Sequence, residues 1–217
     1  MPAQQKKVVF CIAGVCSFAC ALAIATAIGT QLWIQGKILC KTGALLVNAT
    51  GQELDKFIGE IQYGLFYGER VRQCELFKIM PASIHVSVIL FCLALFVFAL
   101  IATGFFMYNA FGNPYETLHG PLGLYLWSFI SVSCGFLILI LFSSEVKIHH
   151  LSEKIANYKE GSFIFKTHSE QFAKSFWIIL VCSLVHFMNI LLIRLAGFEF
   201  PFSKSKNSEA PNGAMDL

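Results

Sequence analysis

Four long stretches of the chain carry no Asp, Glu, Lys or Arg. They lie between Lys7 and Lys37, between Lys78 and Glu116, between Glu116 and Glu145, and between Lys174 and Arg194. A helix needs about 20 consecutive, mostly apolar residues to cross a bilayer. The pattern predicts spans over 8–33, 83–108, 121–143 and 175–198. The last of these runs past Arg194, because a long basic side chain can reach back to the interface. The remainder divides into an N-terminus (1–7), a large first loop (34–82), a short turn (109–120), a second loop (144–174) and a polar tail (199–217). The first run is longer than the 7–15 apolar residues of a signal peptide, so it is expected to be a retained helix.

The predicted class is an all-α membrane protein, a four-helix transmembrane bundle. The first loop is long enough to fold on its own. Ile38-Leu39-Cys40, Ala44-Leu45-Leu46-Val47 and 61–67 are expected strands, and Leu54, Phe57, Ile58 and Ile61 recur at helical spacing. The second loop should open as a helix, with Ile148, Leu151, Ile155 and Tyr158 on one face. Phe163-Ile164-Phe165 then adds a strand. The expectation is a small extracellular β-sheet, formed mainly by the first loop and resting on the helix ends.

Composition agrees with the class: 56% of residues are hydrophobic, 22 are Phe, and only 13% are charged, against roughly 25% charged in ordinary soluble domains. The net charge of +3 is spread along the chain, which gives no nucleic-acid footprint. Four spans place both termini on one side. The count of basic residues does not decide which side, since the first loop carries Lys37, Lys41, Lys56, Arg70, Arg72 and Lys78. Two signals decide it together, the first being Asn48-Ala49-Thr50, a glycosylation sequon useful only outside the cytosol. Cys40 and Cys74 share that loop, and a pair of cysteines outside the lipid suits an oxidising compartment. Both large loops are therefore expected outside, with both termini in the cytosol. A Cys40–Cys74 disulfide would staple the first loop; the alternative is two free thiols. Trp33 is expected at the membrane edge, where indole rings are favoured.

The remaining chemistry is sparse. Cys11, Cys16, Cys20, Cys92, Cys134 and Cys182 fall in predicted spans as small packing residues. Cys11, near the cytosolic end, is also a palmitoylation candidate. Ala19, Ala23 and Ala27 repeat every four residues, a pattern that lets two helices approach closely. The bundle accounts for that stripe, and a partner helix is the alternative. His85 and His186 are imidazoles within spans; His186 has Asn189 within one turn and is expected to hydrogen-bond inside the bundle. His149, His150 and Glu153 lack further ligands at matching spacing, so a solvated helix face is the better reading than zinc. No catalytic motif, metal set or cofactor loop is present. Met215-Asp216-Leu217 ends the chain with an apolar residue of the kind that docks in a PDZ groove.

Trp33, Gly64-Leu65-Phe66 and Cys74 give a layout that resembles the claudin and peripheral-myelin superfamily of tetraspan proteins. Claudins carry both loop cysteines after the Gly-Leu-aromatic motif, whereas Cys40 precedes it here. The closer resemblance is to the clarin family, in particular to its founding, Usher-syndrome member. It rests on residues 4–7, 39–49, 51–57, 62–66, 106–112, 116–126 and most of 145–161. These include polar loop positions that hydrophobicity does not dictate. After Cys74 the family continues with Gly-Leu-Gly and an aromatic, basic stretch. Here Glu75-Leu76-Phe77-Lys78 leads almost directly to Pro81, so the loop is shortened, as in a splice form or a paralogue. Asn48 matches the family's glycosylation site.

The resemblance implies a claudin-like fold and a non-enzymatic plasma-membrane protein of sensory cells. It implies roles in hair-bundle and ribbon-synapse organisation, photoreceptor maintenance, hearing and vision, and actin organisation at stereocilia, microvilli or synaptic membrane. Expected partners are membrane lipids, other membrane proteins and an actin-linked scaffold, the last through a PDZ protein at the C-terminus as Met215-Asp216-Leu217 suggests. The alternative is an auxiliary subunit of an ion-channel complex.

Overall fold

A computed structural model describes residues 3–71, 86–111, 121–157 and 164–196. Four of its helices are long and apolar enough to cross a membrane. They are α1 (Ala3–Gly29), α3 (Val86–Phe111), α4 (Pro121–Lys147) and α6 (Lys174–Leu195). Two short helices, α2 (Lys41–Leu46) and α5 (Leu151–Ala156), sit in the connections. The strands are β1 (Ile34–Cys40), β2 (Ile58–Tyr63), β3 (Gly68–Val71) and β4 (Phe165–Phe172). Cys74, His85, Tyr158 and Met215-Asp216-Leu217 lie outside the described residues.

Each long helix buries one stripe and leaves the rest apolar and exposed, as lipid-facing helices do. On α3 the buried positions are Val88, Cys92, Leu95, Ala99, Ala102 and Phe106, alternating steps of four and three. Leu90, Leu93, Val97 and Leu100 face outward. The core has two layers. The larger joins Ile24, Leu95, Ile138, Phe142 and Ile179 of the bundle to Ile34, Ile38, Ile61 and Tyr63 of the sheet. The smaller holds Phe10, Phe106, Leu124 and Ile193 at the opposite end.

The sheet is four-stranded and antiparallel, in the order β3-β2-β1-β4. Three of its strands come from the first loop, as expected, and the second loop supplies β4 along the far edge of β1. β1 leaves the end of α1 and β4 leads into α6, so the sheet caps one end of the bundle. The start of α1 and the end of α6 share the other end.

Several local expectations are corrected. Ala44-Leu45-Leu46-Val47 is not a strand; its first three residues belong to the short helix α2. Residues Gly51–Phe57 wind as a 3₁₀ helix rather than an α-helix, and Ile58 already belongs to β2. The stretch 61–67 contains the end of β2 and the turn into β3. The helix of the second loop starts at Leu151, which leaves Ile148 exposed. The first span ends at Gly29 instead of residue 33, because the next residues bond to the sheet and to α6. Trp33, just beyond the end of the first span, is fully buried inside the protein.

Candidate functional site at the seam between bundle and sheet

The seam is built around Trp33. Its indole Nε1–H donates to the Ala27 carbonyl at 2.7 Å, which turns the ring back over the last turn of α1. The ring meets Phe142 of α4 edge-on, with centroids 4.8 Å apart. Phe142 also contacts Phe176, which stacks on Phe172 at 4.2 Å. The Trp33 backbone N–H donates to the Tyr63 carbonyl at 3.2 Å, and its carbonyl accepts from Ala173 N–H at 2.9 Å. One residue thus ties α1, α4, β2 and the start of α6. The Thr30 and Ser175 hydroxyls, 2.7 Å apart, add a second link between α1 and α6.

Gly64 of the Gly-Leu-aromatic motif lies directly against this seam. A Cβ there would strike the Thr30 carbonyl and come within 2.9 Å of Gln31 Cα, so the backbone leaves room only for hydrogen. Leu65 is buried beneath it and Phe66 is exposed.

Above the seam runs a polar relay that the sequence did not reveal. Lys147 Nζ donates to Glu170 Oε1 at 2.9 Å, and the Ser152 hydroxyl donates to Glu170 Oε2 at 2.7 Å. Tyr63 Oη lies 3.1 Å from Ser152 Oγ. Because the serine proton is committed to the carboxylate, the tyrosine donates to the serine. Burial pushes the Tyr63 hydroxyl well above the usual tyrosine range. Asn157 reinforces the same side: its amide donates to Phe165 O at 3.0 Å and its oxygen accepts from Phe165 N–H at 2.8 Å. Nothing in this arrangement resembles a nucleophile and base poised for reaction. It locks β2, α5, β4 and α4 into one body.

The sequence-derived residues fall in separate places. Asn48 is exposed, directly after α2, with φ of 48°, a left-handed conformation that Asn tolerates better than most residues. The oligosaccharide acceptor is therefore sterically open. Beside it, Leu45, Leu46 and Val47 are 65%, 76% and 62% exposed, at the end of β1 remote from the bundle. Cys40 is half-buried at that same end of β1. Of the alanine stripe, Ala27 is in the core, Ala23 is half-buried and Ala19 is exposed. Among the described residues, no three His, Cys, Asp or Glu side chains are grouped to hold a metal. The Glu153 carboxylate accepts from Thr167 N–H at 3.3 Å instead. His186 is fully buried between Ser183 and Asn189 on the inner face of α6, and among the described residues neither ring nitrogen has a hydrogen-bond partner, so the expected hydrogen bond inside the bundle is not found there.

This geometry defines a class: a multi-pass membrane protein whose four-helix bundle carries a rigid antiparallel sheet on one end. Comparison with known proteins makes the class specific. The Clarin-2-like family model matches residues 5–193. The chain is 65% identical to human Clarin-1 (Homo sapiens) over 230 aligned positions, covering 100% of this chain and 99% of the relative. Mouse Clarin-1 (Mus musculus) is 60% identical and human Clarin-2 37% identical, each with the same coverage. The chain belongs to the clarin family. The human Clarin-1 alignment runs over 230 positions while the chain has 217 residues, so 13 positions of the alignment have no residue here. That deficit fits a shortened loop; the stretch after Cys74 where the sequence places it lies outside the described residues.

Proposed function

We propose that this clarin is a non-enzymatic organiser in the plasma membrane of sensory cells, with the sheet outside the cell and both termini in the cytosol. The observation that carries the reading is the exposed Leu45-Leu46-Val47 shelf, held beside the sequon at the tip of a rigid sheet. Three large apolar side chains exposed together are unfavourable in water and mark a surface that other proteins cover. The Trp33 seam fixes the direction in which that shelf is presented. The C-terminal Leu217 supplies the cytosolic counterpart, a site for a PDZ scaffold linked to actin. Outer contacts joined to an inner scaffold through one anchored chain would serve the upkeep of hair bundles, ribbon synapses and photoreceptors, the settings that the family resemblance implies.

The test is proximity labelling in hair cells, comparing the native chain with Leu45→Ser/Leu46→Ser/Val47→Ser and with a chain lacking Leu217. The reading expects the shelf variant to lose membrane-protein neighbours and the truncation to lose actin-linked ones. Unchanged neighbours in both variants would contradict it. A neighbour set dominated by pore-forming subunits would favour the channel-auxiliary role instead.

A further inference from the structure

Between α1 and α6 the bundle surface opens into an apolar groove of about 650 Å³. Cys16, Ala19, Cys20 and Ala23 form one wall, all small side chains on one stripe of α1. Lys174, Trp177, Val181 and Val185 are spaced along α6 on the other. The floor is closed where Cys182 Sγ approaches the Cys20 carbonyl at 3.8 Å. Trp177 is fixed at the rim by its Nε1–H bond to Phe172 O, at 3.2 Å.

The dimensions select the occupant. From Lys174 to Val185 the groove descends 11 residues, roughly 16 Å at 1.5 Å per residue. That is about half of the ~30 Å hydrocarbon core. Further along, Phe10, Ala13, Ile190 and Ile193 belong to the buried layer at the far end of the bundle. The groove therefore serves one leaflet, the one on the side of the sheet. A partner's transmembrane helix would need an open seam across the whole core; an acyl chain needs only this depth.

The head of the groove is equally selective. Lys174 is exposed, and its ammonium has no ion pair among the described residues. Lys174 reaches the groove through its aliphatic stem, since the lining is apolar throughout, and its ammonium stands outside that lining at the head of the groove. An ammonium at that level binds a phosphate oxygen through a charge-assisted hydrogen bond, which a neutral sterol hydroxyl cannot match. We propose that the α1–α6 groove is a binding site for a phospholipid of the sheet-side leaflet, with its phosphate on Lys174 and one acyl chain between Ala19, Ala23 and Val181.

The experiment uses the full chain in phosphatidylcholine vesicles containing a phosphatidylcholine with a photoactivatable diazirine acyl chain. Cross-linked peptides are mapped by mass spectrometry. The proposal expects labelling at Ala19, Ala23, Trp177 and Val181. Losing the charge-assisted contact in Lys174→Gln should reduce it about tenfold, while Lys174→Arg retains it. Ala19→Leu, at an exposed position that does not threaten folding, should reduce labelling by filling the groove. Ala23→Phe should do so more strongly. Equal labelling in the native chain and Lys174→Gln overturns the proposal. So does a diazirine sterol that labels the same residues irrespective of position 174. Efficient Cys16–Cys16 cross-linking between two copies would show a second chain in the groove and overturn it as well.

Discussion

If Trp33 is the keystone between bundle and sheet, its replacement should loosen both. Trp33→Phe removes the 2.7 Å hydrogen bond to the Ala27 carbonyl and part of the ring. The lost hydrogen bond costs about 1 kcal/mol. The carbonyl is not wholly orphaned, since the Thr30 hydroxyl also donates to it at 3.2 Å. With the smaller ring leaving a gap beside Phe142, the total is about 2 kcal/mol. Trp33→Ala adds a large cavity at a fully buried site, about 3–5 kcal/mol, and loses the aromatic pair, about 1 kcal/mol more. At about 2–4 °C per kcal/mol for a chain of this size, Trp33→Phe should lower Tm by about 4–8 °C. Trp33→Ala should lower it by at least twice that. The buried thiols of Cys92 and Cys134 give the assay once the other cysteines are replaced, because a thiol-reactive fluorophore reaches them only as the bundle opens. Trp177→Phe is the control: that ring is 53% exposed, so its loss should cost less than about 1 kcal/mol. A Trp33→Ala protein that melts with the native chain would refute the seam as the structural link.

Two further outcomes follow from the relay above the seam. Glu170→Ala strips the acceptor from Ser152 and should cost about 2 kcal/mol. Lys147→Ala should cost less than about 1 kcal/mol, since that side chain is 55% exposed. Equal losses in the same melting assay would contradict the assignment of Glu170 as the centre of the relay. The raised Tyr63 hydroxyl gives a pH signature. A group that holds its proton more tightly when folded stabilises fully below its unfolded value near pH 10, and that contribution is lost as pH rises further. Tm should therefore fall above about pH 10, and Tyr63→Phe, lower at neutral pH, should fall less steeply.

The four helices were legible because each is a charge-free run flanked by charged residues, a pattern that only lipid accommodates. Their ends were less so. Residues 30–33 continue the uncharged run of the helix before them, and bonds to residues 63, 173 and 175 draw them out of it. Ala44-Leu45-Leu46-Val47 is a short apolar run that length alone reads as a strand, but Ala and Leu are strong helix formers and a local helix forms. β4 went unseen over most of its length because Lys166, Thr167, His168, Ser169, Glu170 and Gln171 offer no alternation; backbone pairing to β1 makes it a strand. The Tyr63–Ser152–Glu170 relay joins residues about a hundred positions apart, which no local pattern can announce.

The orientation of the sheet is the claim on which the organiser role stands, and glycosidase digestion of chain from cells tests it most directly. The native chain and Asn48→Gln are compared with a chain carrying a sequon placed within 112–120. The account predicts that enzyme treatment shifts the native chain, that Asn48→Gln already migrates at the shifted position, and that the 112–120 sequon adds nothing. A native chain indifferent to the enzyme, together with a glycosylated 112–120 segment, would put the sheet in the cytosol and contradict the account.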